Sequence, residues 1–359
     1  MAYTTIDDPS AYFKVQLYSG NGTAIGSGGN VITFNDTDTD MQPDFVWYKE
    51  RSSTSGHHLH DAARGTTKKL SSDSNAADNT NTETLTSFNS DGFTVGSAGG
   101  SNQSGQTYVA WCWKGGTTSG ITGTADITPS AYSFNTTSGF SVCVYSGVGN
   151  AGDTLKTGLS SGIDFYFLKR LDTSSSWSVL GSASPLGAGK YMYLDITDGV
   201  ATNDAFDNDV APSASGVVTL GDNGNVNASG GTHIFYGWKS IQGFSKFGSY
   251  TGNGNADGTF VYTGFRPAMV IVKRTDSTGG LYVYENKRAG YNGSSGYLQV
   301  DTTSAEDTNA GNFGFDILSN GFKLRGTYAT VNNSGGNYVY MAWAEAPLVN
   351  SNGVPCNAR

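Results

Sequence analysis

Apolar and polar residues alternate along many short segments of this chain, which is the pattern of β-strands. In residues 107–113, Val109, Trp111 and Trp113 fall on one face of an extended strand, and the equally apolar residues between them fall on the other. Turn signals such as SGNG at 19–22 separate such runs, because Asn and Gly tolerate the left-handed backbone of tight turns. No long helix-forming run is present. The pattern predicts an all-β protein.

The strand pattern recurs three times along the chain. In each copy a Ser-Gly pair is followed, eight residues after its glycine, by a tryptophan. A tyrosine in the first strand of each copy precedes that tryptophan by 95, 93 and 93 residues. We predict that both positions belong to the core of each repeat; the pairs are Tyr18 and Trp113, Tyr145 and Trp238, and Tyr250 and Trp343.

Two charged residues recur in the same order in each copy, and we call them the marker lysine and the marker aspartate. One strand ends in a basic residue, and a later strand ends in an aspartate that we expect to cap a turn. Five ordered markers at matching spacings indicate an internal repeat. The charged positions are Lys49, Lys169 and Lys273 for the basic strand, and Asp73, Asp195 and Asp301 for the acidic one.

The repeats predict three tandem antiparallel β-sandwiches of about 95 residues, jelly-roll or lectin-like in topology. An immunoglobulin topology lacks its cysteine pattern here, and a propeller would need shorter units. The short join at 239–243 favours a rigid rod or triangle. The predicted boundaries are an N-terminal arm at 1–14, repeats at 15–117, 140–240 and 241–346, a linker at 118–139 and a C-terminal tail at 347–359.

Composition narrows the class further. Glycine supplies 50 of 359 residues, yet only 8 prolines occur and no three-residue period is present, which excludes collagen. Aromatic residues reach 12%, too many for a disordered chain. The excess of glycine therefore reflects the many turns that a strand-rich protein needs.

The charge pattern and the cysteines argue against several partners. The net charge is −9 and the lysines and arginines are scattered, so we expect no nucleic-acid partner. Cys112 and Cys143 lie in apolar runs and Cys356 is far from both, so no disulfide framework is expected. The start of the chain shows no secretion signal, and no apolar run is long enough for membrane insertion.

Metal chemistry is poorly supported by the sequence. His58 and His60 would share one face of a strand, with His57 beside them, but no further ligand lies nearby to complete a zinc site. We interpret this segment as an exposed or interfacial strand and predict no metal and no cofactor. Two acidic clusters are read as solvated loops in preference to calcium sites; they are Asp36, Asp38 and Asp40, and Asp204, Asp207 and Asp209.

No catalytic residue is predicted. Glutamates are few, and no nucleophile elbow or phosphate loop is present. Four aromatic side chains could instead stack on sugar rings of a ligand, although packing in a sandwich or a subunit interface is the favoured interpretation for each one. These ligand-binding candidates are Trp47 and Trp177, which we expect to be exposed, and Tyr282 and Tyr284.

The chain resembles a module common in marine tailed bacteriophages. The resemblance rests on MAYTTIDDPSAYF, PDFVWYKERS, LSSDSNAADNT, LTSFNSDGFTVGS, SGQTYVAWCWK and the closing VYMAWAEAPLVNSNGVPCNAR. The second repeat departs most, with GVVTLGD in place of the usual strand and His233 in place of a tyrosine. Proteins that carry this module are virion-associated and are labelled tail-fibre-like or structural.

The resemblance implies a non-enzymatic structural protein of the virion, either a tail or head fibre or a capsid decoration, that contributes to host-surface attachment. It implies a homo-oligomer made in the host cytoplasm. The terminal segments 1–14 and 344–359 are then candidate arms that dock on other virion proteins. The alternative is a lectin-like adhesin that binds a host-surface glycan, and a polysaccharide depolymerase comes third.

Overall fold

Antiparallel strands make up nearly all of the regular structure, and the all-β class is confirmed. The structure is a computed structural model that describes residues 2–34, 39–160, 162–181, 186–187, 189–206, 216–292, 296–308 and 313–356. Helices in this part of the chain are single turns, and none is long and apolar enough to cross a membrane.

The first third of the chain contains nine strands and one helical turn. They are β1 Phe13–Ser19, β2 Asn30–Thr33, β3 Phe45–Glu50, β4 His58–Asp61, β5 Lys68–Lys69, β6 Asn79–Thr80, β7 Leu85–Asn89, β8 Gly92–Val95, α1 Gly99–Asn102 and β9 Thr107–Trp113. We call this part the first unit. Short 3₁₀ turns lie at Pro9–Ala11 and Ile25–Ser27.

The second and third units follow the same order. The second unit has β10 Ala131–Asn135, β11 Phe140–Ser146, β12 Asp153–Lys156, β13 Phe165–Arg170, β14 Ser178–Gly181, β15 Lys190–Tyr193, β16 Ala201–Thr202, β17 Val217–Leu220, α2 Gly224–Asn227 and β18 Thr232–Trp238, with a 3₁₀ turn at Asp204–Phe206. The third unit has β19 Ser245–Thr251, β20 Phe260–Tyr262, β21 Phe265–Arg274, β22 Leu281–Glu285, α3 Asn286–Ala289, β23 Leu298–Gln299, β24 Phe315–Leu318, β25 Gly321–Leu324, α4 Ala329–Asn332 and β26 Asn337–Pro347.

Each unit combines a large sheet with a smaller one. The large sheets share one strand order: β1-β9-β3-β4, β11-β18-β13-β14 and β19-β26-β21-β22, with further strands at the edges in the second and third units. The small sheets are β2-β8-β7, β12-β17 and β20-β25-β24. In the first unit a separate apolar cluster, including Phe34, Tyr48 and Phe93, lies on the face of the large sheet opposite to Trp47 and Trp111. Each large sheet is therefore buried on both faces, which explains why its strands read as apolar at every position.

The large sheets meet at one point through three equivalent tryptophans. Ring centroids lie 5.8 Å apart for Trp113 and Trp238, 5.2 Å for Trp113 and Trp343, and 5.8 Å for Trp238 and Trp343. The three rings meet edge to face, the arrangement that aromatic quadrupoles favour. One apolar cluster contains residues of all three units around these rings. The units therefore share their largest core around a pseudo-threefold axis that passes through the tryptophans.

Six backbone hydrogen bonds join the units in a ring. At each seam, the segment after the marker aspartate of one unit pairs with the loop after the marker lysine of the next. The offsets are identical at all three seams: two and five residues after the aspartate, two and six after the lysine. The bonds, N–H donor first, are Asp78 to Leu171 and Ser175 to Asn75, Val200 to Thr275 and Gly279 to Thr197, and Glu306 to Arg51 and Ser55 to Thr303, with lengths of 2.8–3.0 Å. Because the third unit contacts the first, the arrangement is a closed triangle and not a rod.

The N-terminal segment packs against the third unit and the join that precedes it. Thr4 and Ile6 are buried, and the Thr4 hydroxyl donates to the carbonyl of Gln242, 2.8 Å away, at the join between the second and third units. The Asp7 carboxylate accepts a 2.6 Å hydrogen bond from the backbone N–H of Ser351, which ties the two terminal segments together. Ring closure brings β1 beside the third unit, so the residues before β1 run along that unit.

Glycines stand at one turn that all three units need. Gly105, Gly230 and Gly335, each just before the last strand of its unit, have φ values of 80°, 71° and 74°. A side chain in this left-handed region is strained. The recurring Ser-Gly pair is thus a requirement of the turn that enters the tryptophan strand.

Loss of one axial tryptophan should destabilise the whole ring. We expect Trp238→Ala to lower the free energy of unfolding by about 3–5 kcal/mol, because it removes a buried indole from the shared core. Tyr328→Ala, at a tyrosine that is 42% exposed, is the control and should cost far less. Urea unfolding followed by far-UV circular dichroism measures both values. A loss under about 1 kcal/mol for Trp238→Ala would show that the units do not depend on the axial core.

Candidate functional site

Two of the proposed ligand-binding aromatics are buried, so the expectation that they are exposed is wrong. The Trp47 indole N–H donates to Nδ1 of His57 at 2.9 Å, and the Trp177 indole N–H donates to the carbonyl of Ser71 in the first unit at 2.8 Å. Both rings belong to the shared core. They lie on the face of their sheet that points to the axis, so neither offers a surface to a sugar ring.

The two tyrosine candidates are also buried. Tyr284 stacks on Phe315 of the small sheet with ring centroids 4.2 Å apart, and Tyr282 packs edge to face against Tyr297 at 5.2 Å. Burial of the large sheet on both faces accounts for this difference from the expectation. A platform for stacking a ligand is therefore absent at all four positions.

The first-strand tyrosines cap helical turns. The hydroxyl groups of Tyr18, Tyr145 and Tyr250 donate to the carbonyl groups of Ser101, Val226 and Val331, at 2.9, 2.6 and 2.7 Å. These acceptors lie in α1, α2 and α4, whose last carbonyls lack partners within the helix. Tyr145 and Tyr250 are buried and Tyr18 is half-buried. The repeat-core tyrosines thus hold the turn that leads to the tryptophan strand.

The histidine segment is buried, and its exposed reading is wrong. His57 accepts from the Trp47 indole N–H at Nδ1, so its proton sits on Nε2, which donates to the carbonyl of Gln299 in the third unit, 2.8 Å away. Both ring nitrogens are used by the neutral form. Burial and, to a smaller extent, the nearby Lys49 ammonium lower the pKa of His57 to about 3.

The other two histidines share a face of β4, as the spacing predicts. His58 Nδ1 and His60 Nε2 lie 3.1 and 3.2 Å from the hydroxyl of Tyr48. Burial lowers the pKa of both imidazoles well below 6.5. These residues form a neutral polar cluster between the sheets of the first unit.

Within the described ranges, no three His, Cys, Asp or Glu side chains come together as a metal site would require. Asp40 is exposed. Asp36, Asp38, Asp207 and Asp209, with the side chain of Asp204, lie outside the described residues. The part of the chain that can be assessed offers no ligand set for zinc or calcium.

The marker lysines are buried cations at the seams. The Lys169 ammonium donates to the carbonyls of Ser175 at 2.7 Å, Arg170 at 3.0 Å and Asn75 of the first unit at 3.1 Å. Lys273 reaches the carbonyl of Gly279, the counterpart of Ser175, and Lys49 donates to the carbonyl of Glu50. Burial lowers the pKa of each of these ammonium groups to about 8, and neighbouring carboxylates oppose the shift.

The marker aspartates bind a neighbouring strand, whereas we expected them to cap local turns. The carboxylates of Asp73, Asp195 and Asp301 accept the backbone N–H of His57, Trp177 and Leu281 at 2.7, 3.0 and 3.2 Å. Each acceptor lies 16 to 20 residues after its donor in the chain. Burial raises the pKa of all three carboxyl groups, although the seam lysines and the backbone donors favour the charged form.

Lysines with a pKa near 8 beside carboxylates can act as nucleophiles or bases in an open site. Here the three ammonium groups donate to loop carbonyls and therefore stabilise the seams. The residues are 0–1% exposed; they are Lys49, Lys169 and Lys273. Sequence reasoning used these residues only to align the repeats. The sequence did contain a signal for this structural role. In every copy an apolar strand ends in a lysine, and an aspartate follows that lysine at a similar distance.

Two of the three seams also contain buried ion pairs. At the seam between the first and second units, Arg64 lies 2.7 Å from Asp78. At the seam between the third and first units, Glu306 lies 2.7 Å from Arg51 and 3.2 Å from Arg288. Asp78 and Glu306 occupy equivalent positions, five residues after a marker aspartate.

A protein-family model described as "Domain of unknown function (DUF7483)" matches residues 8–347. The match spans the three units and all three seams. No curated protein matches the chain, and no solved structure matches it.

Removal of a seam lysine should weaken the ring. We expect Lys169→Met to lower the free energy of unfolding by about 2–4 kcal/mol, because three carbonyl acceptors lose a buried charged donor. Lys287→Met, at an exposed lysine, is the control and should change the value by less than about 0.5 kcal/mol. Chemical denaturation at pH 7 measures both. Equal stability of the two variants would contradict the assigned role.

Acid should destabilise the protein through its buried histidines. His57 has a folded pKa of about 3 against 6.5 in the unfolded chain, so the unfolded state binds more protons below pH 6.5. Its contribution is present above pH 6.5 and should fall by about 2 kcal/mol between pH 6.5 and 5. His58 and His60 act in the same direction.

Urea unfolding at several pH values tests this dependence. His57→Phe cannot titrate, so its stability should decrease less steeply from pH 6.5 to 5 than that of the wild type, whatever its absolute stability. The marker aspartates act in the opposite direction in both proteins and cancel in the comparison. Identical slopes would contradict the neutral assignment of His57.

Proposed function

Because the chain belongs to the DUF7483 family, whose function is unknown, we propose its function from its own sequence and structure. We propose that it is a non-enzymatic structural protein of a bacteriophage virion, a tail or head fibre module or a capsid decoration. The resemblance to virion-associated proteins of tailed phages supports this role. In the same proposal, the three units are diverged copies of one two-sheet sandwich of the jelly-roll or lectin-like kind.

The observation that carries the proposal is the closed ring, in which reactive side chains serve internal contacts. The seam lysines, the marker aspartates and the histidine cluster are all buried and hydrogen-bonded within the chain. A catalyst needs such groups at a surface that substrate can reach. A rigid body with three related faces suits repeated attachment on a symmetric particle.

Exposed apolar side chains supply a surface for contacts with other copies or with the virion. Phe260 and Tyr262 on β20 are 45% and 47% exposed, and Val31 on β2 is 61% exposed. Both strands form an outer edge of their small sheet. Edge strands with apolar side chains favour association, which agrees with a homo-oligomer and with a role in host-surface attachment.

Virion incorporation tests the proposed function. An epitope inserted at the exposed residues 150–152 should co-purify with phage particles at a fixed ratio to the capsid protein, and imaging of the labelled particle should place it on the exterior. Phe260→Asp with Tyr262→Asp should reduce incorporation at least about tenfold. Thr136→Asp with Thr137→Asp adds the same charge at an exposed turn and should incorporate normally.

Two results would contradict the proposal. One is tagged protein that stays in the lysate while intact particles lack it. The other is release of reducing sugar when the purified protein is incubated with host envelope polysaccharide, since that would show a depolymerase. A heat-denatured sample of the same protein controls for contaminating sugar.

A further inference from the structure

Among the described residues, the seam between the second and third units has no counterpart of the ion pairs that Asp78 and Glu306 form at the other two seams. Val200 stands where Asp78 and Glu306 supply carboxylates, and Thr275 stands where Arg51 supplies a guanidinium. The backbone at this seam is as tight as elsewhere, with hydrogen bonds of 2.8 and 2.9 Å. A Cβ on Gly199 would lie only 2.9 Å from the carbonyl oxygen of Thr275. The difference is therefore in side chains and not in the spacing of the units.

An open cleft of about 590 Å³ lies at this seam. Its second-unit wall includes Lys190, Val200 and Thr202, and its third-unit wall includes residues of β19 and β26 together with Thr275 and Asp276. This volume is within the range of small-molecule sites, roughly 300–1,000 Å³.

The cleft presents many hydrogen-bonding groups in a small space. Thr202, Ser249 and Thr251 contribute hydroxyl groups, and Asn337 contributes an amide, all on exposed side chains. Val200, which is half-buried, supplies an apolar surface beside them, and Val339 is buried at the base of the cleft. Hydroxyl and amide groups both donate and accept, which matches the hydroxyl groups of a sugar, and an apolar surface suits the C–H face of its ring.

Asp276 is held in one orientation within this cleft. One carboxylate oxygen accepts from the Arg274 guanidinium at 2.7 Å, and the other accepts from the backbone N–H of Asn337 at 3.2 Å. A carboxylate has about four acceptor sites, so both oxygens keep capacity for ligand hydroxyl groups. Lys190 supplies one positive charge to balance this negative one, and the lining has no net charge. A neutral ligand fits better than an ionic one.

From this geometry we propose that the cleft between the second and third units binds a neutral saccharide of one or two rings. Asp276 accepts from a pair of ring hydroxyl groups, the Thr, Ser and Asn side chains complete the polar contacts, and Val200 contacts the apolar face of the ring. The site differs in place and in chemistry from the buried aromatics Trp47, Trp177, Tyr282 and Tyr284. The proposal does not depend on the virion role.

Saturation-transfer NMR with a fixed panel tests the site. The probes are glucose, galactose, mannose, N-acetylglucosamine, maltose and lactose, each added to the full-length protein, followed by calorimetric titration of every sugar that gives a signal. We expect saturable binding of at least one sugar. Asp276→Asn should weaken that binding at least about tenfold.

A second variant fills the cleft with the ion pair that is present at the seam between the third and first units. Val200→Glu with Thr275→Arg reproduces the pair of Glu306 and Arg51, and it should abolish sugar binding while the protein unfolds at the wild-type denaturant concentration or above. Thr136→Glu with Thr137→Arg adds the same side chains at a distant exposed turn and should bind within about twofold of the wild type.

Two outcomes would overturn the proposal. One is the absence of saturable binding for every sugar in the panel. The other is unchanged binding in the folded Val200→Glu, Thr275→Arg variant, which would place the sugar elsewhere. Loss of virion incorporation with intact sugar binding, or the reverse, separates the fate of this site from that of the structural role.

Discussion

Three buried tryptophan side chains converge on one axis, and the other two units complete the burial of each one. A sheet that ends in such a residue gains its full burial only when the ring is closed, because an indole left at an open end would face water. Packing at the axis thus couples three strands that are more than 100 residues apart in the chain. The shared core, the tight seams and the packed termini all follow from that closure.

Closure has an electrostatic consequence at the seams. Loops that meet there carry carbonyl and N–H groups that the sheets do not satisfy, and buried polar groups without partners are costly. Lys169 and its counterparts supply donors to the carbonyls, and Asp195 and its counterparts accept N–H groups of the adjoining strand. Buried charges of this kind add little net stability, but removal of one partner leaves the other unsatisfied. They specify which loop meets which.

The side chains of the three units differ even at positions where the backbone structure is equivalent. The first unit alone carries the histidine cluster, and His57 joins it to the third unit through Gln299. Only the seam between the second and third units has uncharged side chains at both of the compared positions, Val200 and Thr275. Backbone geometry is held constant by six equivalent hydrogen bonds, so these positions can vary without loss of the ring. We propose the binding site at the seam between the second and third units because its side chains differ while its backbone hydrogen bonds are the same.

Alternation and turn chemistry are local properties that survive in a linear pattern, so the sequence alone was enough to predict the β class and the burial of Trp113, Trp238 and Trp343. It did not determine that Trp47, Trp177 and the histidines are buried, or that residues 1–14 pack against the third unit. Those facts depend on which faces the closed ring covers, and contacts between residues hundreds of positions apart leave no local pattern. The position of the cleft between the second and third units likewise depends on contacts that exist only in the folded chain.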